Sequence, residues 1–189
     1  MHPFFEMWLP TLLSAVAVFI LSSIIHMVAP WWHRNDYGKL PNEAGVLDAI
    51  RSFNITPGEY FAPRPADGSD MRSEEFKEKV KRGPLVILNV ASGDSASMAR
   101  PLILWFVYAL IVSALAGHIA LVATRGEVVD ERVIFHTVAL SAFLAYSAGL
   151  WQQTIWFRKP WMTSLKSTVD GVIYALATGW IFCVLWPVV

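Results

Sequence analysis

The stretch PLILWFVYALIVSALAGHIALVAT, residues 101–124, and its neighbour VIFHTVALSAFLAYSAGLWQQ, residues 133–153, decide the fold. Each is an apolar run of about the 20 residues that a helix needs to cross some 30 Å of hydrocarbon. The polar turn TRGEVVDER, residues 124–132, joins them into a hairpin. Two further runs, near 8–30 and 167–186, have similar length and character. A buried helix of a water-soluble domain is shorter, and four such helices could not all be wrapped by a chain of 189 residues.

Composition agrees. The chain is 55% hydrophobic and 16% charged, with a mean hydropathy of +0.46. The expected class is an all-α membrane protein with four transmembrane helices and a small α/β cytoplasmic insertion between helices one and two. The expected divisions are helix one at 1–30, the insertion at 31–100 and helices two to four at 101–189. The first run is read as a retained helix. No Lys or Arg lies in Met1–Glu6, and the run exceeds the hydrophobic segment of a signal peptide.

The formal net charge is zero, so nothing in the balance of charge suggests a nucleic-acid partner. Cys183 is the single cysteine, which excludes an intrachain disulfide and a cysteine metal cluster. Orientation follows from basic residues near helix ends. Arg34, Arg100, Arg158 and Lys159, with Lys166 nearby, fall on one side, and Arg125 and Arg132 on the other. The rule that the basic side faces the cytoplasm then puts both termini in the periplasm of a bacterial inner membrane and the 31–100 loop in the cytoplasm.

Within the loop, Pro41-Asn42-Glu43 starts a helix whose apolar positions are Val46, Leu47, Ile50 and Phe53. Residues 73–82 read as a charged surface helix stopped by Gly83-Pro84. Tyr60-Phe61-Ala62 and the run from Leu85 to Val90 read as two short strands that pair with each other. Helix one is expected to end at Ala29-Pro30, because proline disfavours helix in the residue before it.

Small residues mark where lipid-buried helices approach closely. Gly171, Ala175, Gly179 and Cys183 form such a stripe on helix four. Ala109, Ser113, Gly117 and Ala120 form one on helix two, and Ser141, Ala145 and Ala148 one on helix three.

Few positions suggest chemistry. His118 and His136 flank the 124–132 turn, and at about 1.5 Å of helix rise per residue they sit at similar depth. A haem b held between two helices needs two such imidazoles, and small Gly117 and Ser113 leave room for a macrocycle. The competing reading is that both only hydrogen-bond locally. His26, beside Ser22 and Ser23, and Asp170 are the other polar intramembrane residues. His26 and His33 are seven residues apart and project from one side, so they cannot grip one iron from opposite faces. Lys166 lies four residues before Asp170 and is expected to pair with it, and a carboxylate near a helix start is favoured by the dipole. No phosphate loop, dinucleotide fingerprint, HExxH or nucleophile elbow occurs.

Three blocks are distinctive together: Ile25-His26-Met27-Val28-Ala29-Pro30 leading to Arg34-Asn35-Asp36-Tyr37-Gly38-Lys39-Leu40-Pro41, then Thr56-Pro57-Gly58-Glu59-Tyr60, then the run from Leu165 to Leu176. They resemble a family of small bacterial four-helix inner-membrane proteins with no assigned activity. The resemblance implies a bacterial setting and carries no site residues with it.

The expected function is therefore a non-enzymatic accessory or assembly subunit of a larger membrane complex, with no resident cofactor. Its expected partners are membrane lipids and other membrane subunits or further copies of itself. The alternatives are a single-haem or quinone-linked electron carrier using His118 and His136, and a small oligomeric transporter or channel.

Overall fold

The computed structural model describes residues 6–92, 97–124 and 130–186. Among these residues, four helices are long and apolar enough to cross a membrane: Trp8–Val28, Ala99–Thr124, Glu131–Phe157 and Trp161–Val184. The chain divides into two units, one of residues 1–38 with 98–189 and one of residues 39–97.

In the first unit, helix α1 (Trp8–Ser23) runs into a π-helical turn, Ile24–Val28. Ala29 leaves helical geometry, and Pro30 opens a short helix α2 (Pro30–His33) as its first residue, where its missing N–H costs nothing. The long helices are α5 (Ala99–Thr124), α6 (Glu131–Phe143) and α8 (Trp161–Val184). Asp130 caps α6 by accepting from the Arg132 N–H at 2.8 Å. A second π turn, Leu144–Ala148, links α6 to α7 (Leu150–Phe157), which ends at Arg158 in the left-handed region.

The bundle core is built of small and β-branched residues with few large ones. Ala15, Val18, Ala109, Ala116, Ala120, Val138, Ala142 and Phe182 are buried, while Ile20, Ile111, Leu115, Val122, Leu140 and Trp180 face outward. A membrane protein has this arrangement because lipid accepts large apolar side chains as readily as a core does.

The glycine seams lie inside this chain. A Cβ at Gly171 would overlap the Ser147 hydroxyl. One at Gly179 would come within 2.8 Å of Ala139 Cβ, and one at Gly117 within 2.5 Å of the Phe182 ring. On the third helix Ile134, Val138, Ala139, Ala142, Tyr146, Ser147 and Thr154 are buried, and the stripe of Ser141, Ala145 and Ala148 is not. The core face is set before the π turn, at Ile134, Val138 and Ala142, and the same four-residue spacing continues to Tyr146.

Residues 39–97 contain α3 (Glu43–Ser52), α4 (Glu74–Arg82), and strands β1 (Gly58–Ala62) and β2 (Val86–Val90). The strands pair antiparallel, Gly58 opposite Val90 and Ala62 opposite Val86. Ser73 caps α4 through the Phe76 N–H at 3.0 Å. Gly83, at φ +59, ends it in a conformation that glycine adopts without steric cost.

The break between units falls at Gly38–Lys39, later than the expected boundary at residue 31. Residues 31–38 stay with the bundle because Trp32, His33 and Asp36 bond to α8.

Candidate functional site

At one end of the bundle, the π turn of α1, the short α2, the turn after it and α8 bring together His26, Trp32, His33, Asp36, Lys166 and Asp170. Asp170 is 4% exposed and has two hydrogen-bond partners. Trp32 Nε1 donates to its Oδ1 at 2.8 Å, and His33 Nε2 lies 2.8 Å from its Oδ2. His33 Nδ1 is 2.7 Å from Asp36 Oδ2, and Lys166 Nζ donates to Asp36 Oδ1 at 2.9 Å. The Lys166 ammonium also stands 5.8 Å from the centre of the Trp32 ring, within cation–π range.

Local geometry explains why these groups converge. The Ala29-Pro30 break turns the chain so that α2 lies over the end of α8, which carries Trp32 and His33 to Asp170. Asp36, three residues after His33, returns to cap the imidazole and reaches Lys166 one helical turn before Asp170. Burial alone pushes the Asp36 carboxyl up. The hydrogen bonds from His33 and Lys166 and the Lys166 charge outweigh that and hold it below its usual range.

The expected Lys166–Asp170 pair is therefore replaced. Lys166 pairs with Asp36, and Asp170 with His33 and Trp32. Two residues spaced i,i+4 are near enough to interact, but better-aligned partners from α2 and its following turn take both. Nor does the helix dipole account for Asp170. The helix starts at Trp161, which places Asp170 beyond the first turn where that field acts.

The protons in this cluster follow from the acceptors. His26 Nδ1 lies 2.9 Å from the Ser22 carbonyl, which can only accept, so Nδ1 carries the proton and a neutral His26 keeps its lone pair on Nε2. Asp36, held ionised, accepts from His33 Nδ1. At 2.8 Å, His33 Nε2 and Asp170 Oδ2 need one proton between them, because two bare lone pairs at that distance repel. With that proton, two carboxylates face one ammonium and one shared proton, and the set is neutral. The His26 and His33 rings stack at 4.5 Å and 8°, which agrees with their projecting from one side.

Next to the cluster, Trp105 Nε1 donates to Ser22 Oγ at 2.8 Å, tying α5 to α1. Tyr108 donates to the Ala145 carbonyl at 2.7 Å, inside the second π turn. Trp105, Tyr108, Tyr146 and Tyr174 pack as an aromatic set with ring centres 5.6–6.1 Å apart.

His118 and His136 are elsewhere. Both lie on exposed faces of their helices, and His136 Nδ1 donates to the Arg132 carbonyl at 2.6 Å. The room expected beside Gly117 is filled by Phe182 and Met7. Cys183 lies 3.6 Å from the Glu131 carbonyl.

Sequence reading singled out His26 and Asp170 but missed His33, Asp36 and Trp32 as their partners. The signal that was available is the seven-residue spacing of His26 and His33, followed by an acid three residues on. Among the described residues, the only set of three or more histidine, cysteine and acidic side chains close enough to share an ion is His26, His33 and Asp170, with donor atoms within 4.8 Å of one another. Comparison with protein-family models, curated proteins and solved structures finds no match to this chain.

Proposed function

We propose that this chain is a non-enzymatic accessory or assembly subunit of a larger complex in a bacterial inner membrane, with both termini periplasmic and residues 39–97 cytoplasmic. The observation that carries the reading is the burial pattern of that unit. None of its described residues is buried, and Leu47, Phe53, Phe61 and Met71 are 40–75% exposed. A two-stranded sheet with two short helices is marginal without a core, and apolar side chains left open in this way mark a surface that another protein covers. Acidic and basic residues in the unit nearly balance, so apolar contact rather than charge attraction is the expected glue.

The orientation rests on Arg34, Arg100, Arg158 and Lys159 against Arg125 and Arg132. The latch of His33, Asp36, Lys166 and Asp170 supports a structural role as well, since each of its charges is matched by another within it. The electron-carrier alternative has less support. Imidazoles on exposed faces do not reach an iron at the bundle axis, and Phe182 occupies the space a macrocycle would need.

The test is native electrophoresis of membranes solubilised in mild detergent. The chain is expected in an assembly well above the size of its own micelle, and a Phe53→Glu/Phe61→Glu variant is expected to fall to the size of the chain alone. The reading fails if wild type and variant migrate identically as single chains. It also fails if the purified chain alone turns over a substrate or holds a redox cofactor stoichiometrically.

A further inference from the structure

We propose that His26, His33 and Asp170 form a binding site for a divalent transition-metal cation of the Zn2+ class. The site is independent of whatever covers residues 39–97, because every donor and every group that supports one belongs to the helical unit.

Three features set this cluster apart from a chance meeting of polar groups. The donor atoms already lie within 4.8 Å of one another. Each ligand is also oriented by a second group, the arrangement that fixes metal-binding imidazoles and carboxylates. His26 Nδ1 is held by the Ser22 carbonyl, His33 Nδ1 by the Asp36 carboxylate and Asp170 Oδ1 by the Trp32 indole. That leaves His26 Nε2, His33 Nε2 and Asp170 Oδ2 as the lone pairs available to a cation. Finally, the side chains of two acidic residues, Asp36 and Asp170, are both nearly buried beside the site, and acidic groups there favour a cation.

The donor set selects the metal class. Two imidazoles and one carboxylate suit zinc and its first-row neighbours better than magnesium or calcium, which take oxygen ligands. Three protein ligands leave a fourth position open to water.

Loading requires small movements. Donors about 2.0–2.2 Å from a tetrahedral ion are about 3.3 Å apart. The 2.8 Å contact of His33 with Asp170 therefore opens by about 0.5 Å. The parallel stack must also break, since an ion in the plane of one ring lies outside the plane of the other. His26 is exposed, which leaves its ring room to tilt out of the stack while Nδ1 stays on the Ser22 carbonyl, and the π turn that carries it is the kind of helix irregularity that accompanies binding sites.

The test uses the full chain, purified in mild detergent after chelation, with Zn2+ itself titrated by calorimetry and Co2+ as the visible-absorption probe. The starting protein has His2, His118 and His136 replaced by alanine, so that the three other histidines cannot bind metal. One Zn2+ per chain is expected, together with Co2+ d–d bands of low-symmetry four- or five-coordination. His26→Ala, which removes a ligand but leaves the latch contacts intact, is expected to weaken binding at least 100-fold. Asp36→Asn, which weakens the support of His33 and removes one carboxylate charge beside the site, is expected to weaken it 10- to 100-fold. The proposal is overturned if the triple-alanine protein binds no stoichiometric Zn2+, or if His26→Ala binds as tightly as its parent. Either result leaves the electrophoretic test of assembly untouched.

Discussion

Replacing Asp170 by asparagine tests whether the polar latch holds the end of the bundle together. The substitution keeps the volume, and the amide oxygen can still accept from Trp32. What is lost is the carboxylate that shares a proton with His33 at 2.8 Å. Hydrogen bonds between transmembrane helices measure about 0.6 kcal/mol on average and reach about 1.7, whereas bonds to charged groups in folded proteins contribute about 1.5–3 kcal/mol. Asp170 is 4% exposed, so the upper part of this range applies, and Asp170→Asn is expected to cost about 2 kcal/mol. At about 2–4 °C per kcal/mol for a chain of this length, Tm falls by about 4–8 °C. His33→Ala removes two contacts and strands a buried carboxylate, so its cost is expected to be larger, about 3 kcal/mol. The double variant should cost less than the sum, with a coupling of about 1 kcal/mol or more. The assay is reversible unfolding in mixed micelles, read by helical circular dichroism. Two further cycles sharpen it. Lys166 should couple more strongly to Asp36, its direct partner, than to Asp170, its neighbour along the helix. Additivity of His33 and Asp170 within about 0.5 kcal/mol would refute the latch.

Three other outcomes follow from the same geometry. Asp36 has a depressed folded-state pKa, so its stabilising contribution is present above the unfolded value near 3.9 and is lost as pH falls through the folded one. Wild type should therefore lose Tm relative to Asp36→Asn only in acid below about pH 4, and a difference that stays constant down to pH 2 would contradict the assignment. Gly171→Ala should destabilise by about 1–3 kcal/mol through overpacking against Ser147. Adding Ser147→Ala should restore most of that loss, and no rescue would place Gly171 against some other neighbour. In a Cys183→Ser background, a cysteine at Ser52 should be protected from an impermeant thiol reagent in intact cells, while one beside Arg132, at Val133, should be labelled. The reverse pattern inverts the proposed topology.

The unmatched part of the sequence reading was the site rather than the spans. Span length and composition are local properties, and about 20 apolar residues in a row leave a helix as the only way to satisfy the backbone in lipid. That is why three of the four helices, the α3 and α4 segments and the strand pair could be placed within a few residues of where they lie, while the fourth helix starts at Trp161, six residues before the expected 167. The latch depends on a turn that no local pattern specifies. His33 and Asp170 are 137 positions apart, and Trp32 and Asp170 are 138. Only the direction in which α2 leaves α1, set by the π turn and Ala29-Pro30, brings them together. On the third helix, likewise, packing rather than local pattern chose the face, and Ile134, Val138, Ala142 and Tyr146 turn to the core in place of the expected stripe.

The sequence by itself thus determined the helices, the hairpin at 101–156 and the balance of basic residues between the two sides. Hydrophobic length, proline and charge act on neighbouring residues and need no knowledge of the fold. The tertiary structure alone decided which polar groups meet: Asp170 with His33 rather than Lys166, and His26 within reach of both, while His118 and His136 remain on outer faces. In a low-dielectric bundle, polar side chains take the best-aligned partner available, and alignment is a property of how helices pack rather than of their order in the chain.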